Sequence, residues 1–416
     1  MKMTRPITIV QGGQWGSEAK GAIAAYLCET DAVDYCVRTG ATNAGHTVFY
    51  KGMPYKMQQL GVGWVNPRTT LILGAGALID PEILDREVHM VSEATGTDIR
   101  KRLIIDHRAG LHLAEHAGRS AASGRHHAIG ATGKGCSEAL IDRIKGRGKG
   151  ARLFGQVASA ANYTVGDTEM VLNTAWDQGA HILLEGTQGQ LLDLYLGPYP
   201  YTTHKQTGPA QWMLEAGLSP SLPNEVVAVF RTYPIRVAGN SGPMKGEISW
   251  MILAGEINAK RKRAGLPGIV KDESLDVWAE ALEVAGRQFP WPQLLGPNSQ
   301  HLFTAQQRYD FRETLSECNT VAWKLLPEVV AADLSNLFEL TTVTKKLRRI
   351  ARFDTVDYNN SIRQMRPAKI ACTFANYSMP QHWYEVPEGR MIDSPIGVPL
   401  DFISYGPESK HVVRCR

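Results

Sequence analysis

Ile9-Val-Gln-Gly-Gly-Gln-Trp-Gly-Ser-Glu-Ala-Lys-Gly21 is the stretch on which the reading of the chain turns. A short apolar run enters glycines, and a helix follows with Lys20 in its first turn. Glycines let backbone approach a phosphate closely, a helix N-terminus favours an anion, and a lysine adds a point charge. The stretch departs from the P-loop pattern, because Ala19 precedes the lysine and Gly21 replaces the Ser or Thr. A glycine-rich turn with no ligand remains the alternative reading. On either reading the unit is a strand, a turn and a helix, as an α/β sheet requires.

Outward from it, similar strands recur between longer helical or irregular stretches. Ile7–Val10, Thr70–Leu73, Leu103–Ile105, His181–Leu184, Val226–Phe230, Lys369–Thr373 and His411–Val413 are brief apolar runs bounded by Gly, Pro or charge. That pattern predicts strands buried on both faces. His46 to Leu60 alternates around Lys51-Gly52 and reads as a hairpin. Between Met251 and Glu339 the stretches LDVWAEALEVAGRQ and TLSECNTVAWKLLPEVVAADL are helical in period, with a Pro/Gly-rich connection between them. The expected division is 1–250 for a nucleotide-binding α/β core, 251–339 for a helical insertion and 340–416 for the rest of the core.

Two further segments carry polar chemistry. In Arg38-Thr-Gly-Ala-Thr-Asn-Ala-Gly-His-Thr47, His46 sits among small polar residues where an imidazole can reach a ligand, although a lone histidine is usually structural. Leu184-Glu-Gly-Thr-Gln-Gly-Gln-Leu-Leu-Asp193 puts small polar residues at a strand's carboxyl end, where ligands bind in open α/β sheets. An ordinary turn is the plain alternative.

Taken in order, QWGSEAKG, ATNAGHT, IGATGKG, EGTQG, YPYTTH, IRVAGNSGP, TTVTKKLRR, TFAN and SYGP resemble the motifs of the adenylosuccinate synthetase family. The family reads QWGDEGKG, NNAGHT, IGTTGRG, EGAQG, YPYVTS, TRVGAGP, TTGRRRR, TKLD and STGP. The likeness covers Ile7–Met244 and Leu340–Pro407 but not the helical insertion. It implies a P-loop-related α/β fold, a large mainly parallel sheet with helices on both faces, working as a homodimer. It also implies Mg²⁺-assisted phosphorylation of a purine O6, followed by displacement of phosphate by the amine of L-aspartate. By motif position, His46 is the acid at O6, Lys20 touches the phosphates, and Ser17 and the Gly45 carbonyl fall at the Mg²⁺ position. Asn43, Thr132, Gln188, Thr203 and Val237 hold the purine monophosphate. Arg147, or Lys145 by spacing, reaches it from the second subunit. Thr342, Val343, Thr344, Lys346 and Arg348 take aspartate. Gly16, Gly21, Thr47, Asn376, Ser404, Gly406 and Pro407 complete the triphosphate site.

Two departures bear on the substrate. The family's catalytic Asp is Ser17 here, and a serine hydroxyl is no base near neutral pH without an activating partner. Ser17 is then an N-cap in an inactive homologue, or a smaller neighbour that leaves room for a 2-amino group. A phage-type branch of the family, the PurZ branch, carries this Ser together with NSGPM- and TTVTKK-like segments. That branch acts on dGMP, making N6-succino-2-amino-2'-deoxyadenylate on the route to 2-aminoadenine DNA. The family's guanine-reading Asp is Asn376 here. One donor and one acceptor complement an adenine edge, so ATP or dATP is expected, unless Asn376 only satisfies local backbone. The competing readings are an ordinary synthetase using IMP and GTP, and an inactive nucleotide-binding homologue.

Composition narrows the class. A formal charge of +4 over 416 residues is too small to indicate nucleic acid. Its clusters, Asp142–Arg152 and Lys345–Arg352, are either solvated faces or clamps for small anions. Six scattered cysteines with no metal spacing, no bilayer-length apolar run and a start that goes directly into a strand give the expectation of a reduced cytoplasmic protein, in a host cytoplasm if phage-encoded.

Overall fold

The apolar runs become a ten-stranded sheet because each has side chains for both of its faces. The strands are β1 (Ile7–Gly12), β2 (Tyr35–Arg38), β3 (Thr70–Leu73), β4 (Leu103–Asp106), β5 (Thr164–Gly166), β6 (Ile182–Glu185), β7 (Asn224–Arg231), β8 (Lys369–Thr373), β9 (Phe402–Ser404) and β10 (Val412–Arg414). The computed structural model describes residues 6–124, 129–147, 152–237, 239, 241–288, 305–341, 346–377 and 399–415. The sheet order is β10-β9-β8-β7-β1-β6-β2-β3-β4-β5. All neighbours are parallel except β9 and β10.

Alternation along the strands divides the core. Ile7, Ile9, Ile182, Leu184, Val226, Ala228 and Phe230 face one layer with Trp212 and Met213 of helix Pro209–Ala216. Val10, Leu183, Val227 and Val229 face the other, with Ile23, Ala24 and Leu27 of helix Lys20–Thr30. A period of two with both faces apolar is what helices on both sides demand. The chain runs outward from β2 to β5, returns to place β6 beside β1, then builds β7 to β10 on the other side. The carboxyl end of β1 therefore lies at the reversal of strand order, where open α/β sheets form their ligand crevice.

The segment between β7 and β8 is helical, with Trp250–Arg263, Asp272–Gly286, Ala305–Leu325 and Glu328–Leu334. Its core contains Trp250, Trp278 and Phe338 together with Ile235, Leu347 and Ile350. The last three belong to the small antiparallel sheet formed by Ile235–Arg236, Arg349–Ala351 and Glu247–Ile248, or adjoin it. The helices thus bury their apolar face against the strand that follows Arg348. Trp250 Nε1 also donates to the Arg348 carbonyl at 2.7 Å.

Candidate active site

Charged side chains close several apolar strands at their carboxyl ends: Arg38 on β2, Glu185 on β6 and Arg231 on β7. Each is almost completely buried, and a buried charge survives only when paired and hydrogen-bonded. Arg38 Nη1 donates to Glu185 Oε1 at 2.6 Å, and its Nη2 donates to the Ala44 and Gln58 carbonyls at 3.0 and 3.2 Å. His46, the first residue of the hairpin strand His46–Tyr50, brings Nδ1 onto the same Glu185 oxygen. Glu185 Oε2 accepts the Val62 amide at 2.7 Å. Burial lowers the His46 pKa to about 4, with the Arg38 charge adding to the fall and Glu185 opposing it. Burial pushes Glu185 up, but Arg38 and His46 outweigh it and hold the carboxyl at about 2. The hairpin comes this close because Gly21 has no side chain. A Cβ there would stand 2.9 Å from that of His46.

The loop after β1 encloses a carboxylate of its own. Glu18 Oε1 accepts the Gln14 and Gly16 amides at 3.0 and 2.7 Å, and Lys20 Nζ donates to Glu18 Oε2 at 2.8 Å. Lys20 is thus buried in an ion pair with Glu18. The glycine-loop amides that the sequence marks for a phosphate already hold an anion. Ala19 takes the left-handed conformation (φ 56°) in front of the helix, where the family's motif has glycine.

Ser17 lies between two arginines. Arg348 Nη1 donates to its hydroxyl oxygen at 3.2 Å, and Arg231 Nη1 donates to its carbonyl at 3.1 Å. Arg231 also pairs with Glu339 and lies over the Phe374 ring, 3.8 Å from its centroid. Burial lowers the Arg348 pKa, opposed by Glu339 and reinforced by Arg231. Two desolvated guanidiniums beside one carboxylate form a place that a further carboxylate or phosphate would stabilise.

The other expected residues fall around this centre. Gln188, left-handed at φ 55°, donates from Nε2 to Asn43 Oδ1 at 3.5 Å. The loop carrying Thr132 is tied to Thr42 through His112, whose ring nitrogens meet Thr42 Oγ1 at 3.0 Å and the Lys134 carbonyl at 2.6 Å. Thr203 is fixed by its amide, which donates to the Leu192 carbonyl at 2.8 Å. The Val237 carbonyl accepts the Ser241 hydroxyl at 2.8 Å. Asn376 is half-buried in the turn after β8, two residues from Phe374, whose carbonyl accepts the Thr232 hydroxyl at 2.8 Å. The buried Ser404 donates to the Gly406 carbonyl at 2.8 Å, and Pro407 is exposed. Gly45 and Thr47 are exposed at the mouth of the hairpin, and Arg147 is exposed just past helix Cys136–Lys145. Lys346 donates its amide to Thr341 Oγ1 at 3.0 Å. Thr342, Val343 and Thr344 lie outside the described residues. A family model for adenylosuccinate synthetase matches residues 9–156 and 149–377, which takes in most of these loops.

The chain belongs to the adenylosuccinate synthetase family.

It is a carbon–nitrogen ligase of that family. It is 38% identical to the adenylosuccinate synthetase of Methanococcus vannielii over 269 residues, 62% of this chain and 76% of that one. To the synthetase of Methanocaldococcus jannaschii it is 37% identical over 268 residues, 62% and 75% of the two chains. Among solved structures, it resembles the cyanophage S-2L succinoaminodeoxyadenylate synthetase (PurZ) bound to dGMP and dATP. The TM-score is 0.69 at 23% identity, covering 99% of this chain and 95% of that one. The fully ligated adenylosuccinate synthetase of Plasmodium falciparum gives a TM-score of 0.66 at 17% identity, covering 99% and 100%. Both likenesses are of fold.

Five residues in the synthetase site carry no assignment from sequence: Glu18, Arg38, Glu185, Arg231 and Glu339. Three of them shared one legible signal, a charge closing an apolar run, which has to be paired wherever the strand is buried. Among the described residues, no helix is long and apolar enough to cross a membrane.

Proposed function

We propose that this ligase joins L-aspartate to C6 of dGMP, driven by ATP or dATP, to give N6-succino-2-amino-2'-deoxyadenylate. The dGMP O6 attacks the γ-phosphorus as its N1 proton passes to solvent water, and ADP or dADP departs. The aspartate amine then adds at C6 and phosphate leaves. In this reading Asn43, Thr132, Gln188, Thr203 and Val237 hold the monophosphate, and Lys346, Arg348 and Thr342–Thr344 hold aspartate. Thr47 and the turn Ser404–Pro407 hold the triphosphate, and Lys20 and the Gly16 amide reach it by exchanging Glu18 for a phosphate. His46 stabilises the charge that develops at O6 and on the transferring group. A homodimer brings Arg147 to the neighbouring site.

In this reading Mg²⁺ would be held in its usual manner, by few protein ligands and several phosphate oxygens. Gly45 stands at an exposed position and would supply its carbonyl, while the Ser17 hydroxyl, which faces Arg348 at 3.2 Å, would have to leave that contact to be the second oxygen. Bound there, the ion would neutralise charge on the phosphates.

The observation that carries the substrate reading is at Ser17. The atom facing Arg348 is a hydroxyl oxygen at 3.2 Å, where the family's motif has a carboxylate. A serine is smaller beside N1 and leaves room for guanine's 2-amino group, and its oxygen is already engaged by Arg348. The half-buried Asn376 supports an adenine base on the triphosphate. The cyanophage enzyme with dGMP and dATP shares the fold, and the choice of substrate rests on these two residues. Phosphate release with aspartate, comparing dGMP, GMP and IMP against ATP, dATP and GTP, tests it. Fastest turnover is expected with dGMP and ATP or dATP. Faster turnover of IMP with GTP would make this an ordinary adenylosuccinate synthetase.

A further inference from the structure

We infer that Glu185 is the positioning residue for His46, holding its Nδ1–H so that Nε2 is the nitrogen left for the ligand. The inference rests on the reading of His46 as the group acting at O6.

The ring nitrogen nearest the β6 terminus is Nδ1, bonded to Glu185 Oε1. The charged groups facing the ring are Arg38, Glu185 and Lys20. An ionised carboxylate only accepts, and a guanidinium only donates. Arg38 Nη1 lies 3.0 Å from Nδ1 and 2.6 Å from Glu185 Oε1, so both cannot be satisfied through a bare Nδ1. If Nδ1 lacked its proton, Arg38 would have a partner, but the Glu185 oxygen would face a lone pair at close range. With the proton on Nδ1, Glu185 Oε1 accepts from both Arg38 and His46, and the two donors, though 3.0 Å apart, both aim at that one oxygen. Glu185 stays ionised because Arg38, the His46 bond and the Val62 amide outweigh its burial. The carboxylate is itself fixed, since its other oxygen is held by that amide at 2.7 Å. A ring gripped at one nitrogen by a fixed acceptor has little rotational freedom, and its second nitrogen is held in place to accept a proton and, once the ring is charged, to donate it at O6.

The test begins with the unmodified protein without nucleotide. Long-range nitrogen–proton spectra of histidine-labelled protein, with the His46 signals assigned through a His46→Asn variant, should show the ring protonated at Nδ1. A neutral ring protonated at Nε2 would overturn the inference. Because this arm needs no turnover, it separates the inference from the ligase reading: the wrong tautomer in an active ligase sinks only the role of Glu185.

A pair of variants supplies the second arm. Glu185→Gln and Glu185→Met both remove the charge opposite Arg38 and share that penalty. Only the amide can place an oxygen where Oε1 stands, accepting from Arg38 and His46 at the expense of the bond from Val62. Glu185→Met should therefore have kcat lower than Glu185→Gln by about 10²-fold, the size of a small misplacement of a reacting group. KM should change little between the two. Equal kcat in the two folded variants would mean that Glu185 only balances Arg38 and would overturn the inference. If neither variant folds, the spectrum of the unmodified protein decides.

Discussion

At Ser17 and Ala19 two residues differ from the family's motif, and each has its own consequence. If Ser17 makes space for the 2-amino group, Ser17→Asp should depress turnover of dGMP and restore some turnover of IMP, since a carboxylate near N1 can again take a proton. Ser17→Ala should cost far less than His46→Ala, whose loss should reach or exceed the ~10²–10⁴-fold typical of general acid–base groups. Steady-state assays of the three variants on both nucleotides check this, and an alanine variant as inactive as His46→Ala would make the hydroxyl itself catalytic. Ala19 is a left-handed alanine at φ 56°, where a Cβ meets the following carbonyl. Ala19→Gly should raise stability by about 1 kcal/mol in urea unfolding. At this scale the sequence made His46, Lys20 and Arg348 visible, because each stands in a motif. It did not reveal that Lys20 would be held by Glu18 or His46 by Glu185. The first pair forms only because the loop curls around its own carboxylate. The second joins residues on different strands, 139 positions apart.

Among the elements, the seven runs read as strands all lie in the central sheet, at β1, β3, β4, β6, β7, β8 and β10, and the hairpin around Lys51-Gly52 is present. Strands β2, β5 and β9 were not legible. Each is three or four residues long, and such runs gain their conformation from parallel neighbours more than from their own composition. Where β4 ends, Asp106 accepts the Thr168 amide and hydroxyl at 3.0 and 2.7 Å and pairs with Arg108 at 2.9 Å. Burial raises its pKa, but Arg108 and Thr168 prevail and hold it at about 2. A depressed carboxylate contributes stability above its unfolded pKa, near 3.8, and loses it as pH falls towards 2. Asp106→Asn should therefore flatten the acid-unfolding curve in that window, and an unaltered curve would show that the contacts at the strand end contribute nothing measurable. The turn after β8 carries the triphosphate prediction. Asn376→Asp should move preference from ATP towards GTP, since a carboxylate accepts from both N1–H and the 2-amino group of guanine. Competition assays with both triphosphates measure this, and an unaltered preference would place base reading elsewhere.

For the whole molecule, the helical segment could be read as helical but given no chemistry. Its apolar residues find their partners in Ile235, Leu347 and Ile350, on chain that lies before and after it. It holds the strand that follows Arg348 and, at its end, supplies Glu339, the carboxylate that pairs with Arg231. The proposed homodimer makes a prediction at the same scale. Arg147→Ala and His46→Ala should each be nearly inactive alone, while mixed dimers of the two regain activity, because one of their sites then has both wild-type side chains. No recovery after verified subunit exchange would confine Arg147 to its own subunit. The central position of β1 also has a consequence for the order in which the molecule is made. Thr8 meets His181 173 residues further on and Glu225 217 residues further on. Arg348 reaches Ser17 across 331 positions, and Thr373 reaches the Glu18 carbonyl across 355. Ribosomes add about 5–20 residues each second, so the glycine loop waits roughly 20–70 s after its own synthesis for that last partner. Until β8 has left the exit tunnel, the loop lacks the Thr373 hydroxyl that donates to its Glu18 carbonyl. Stalled chains ending before Lys369 should be cut readily around Ser17 by a protease that leaves the finished protein intact there. The first residues translated are among the last to be sealed.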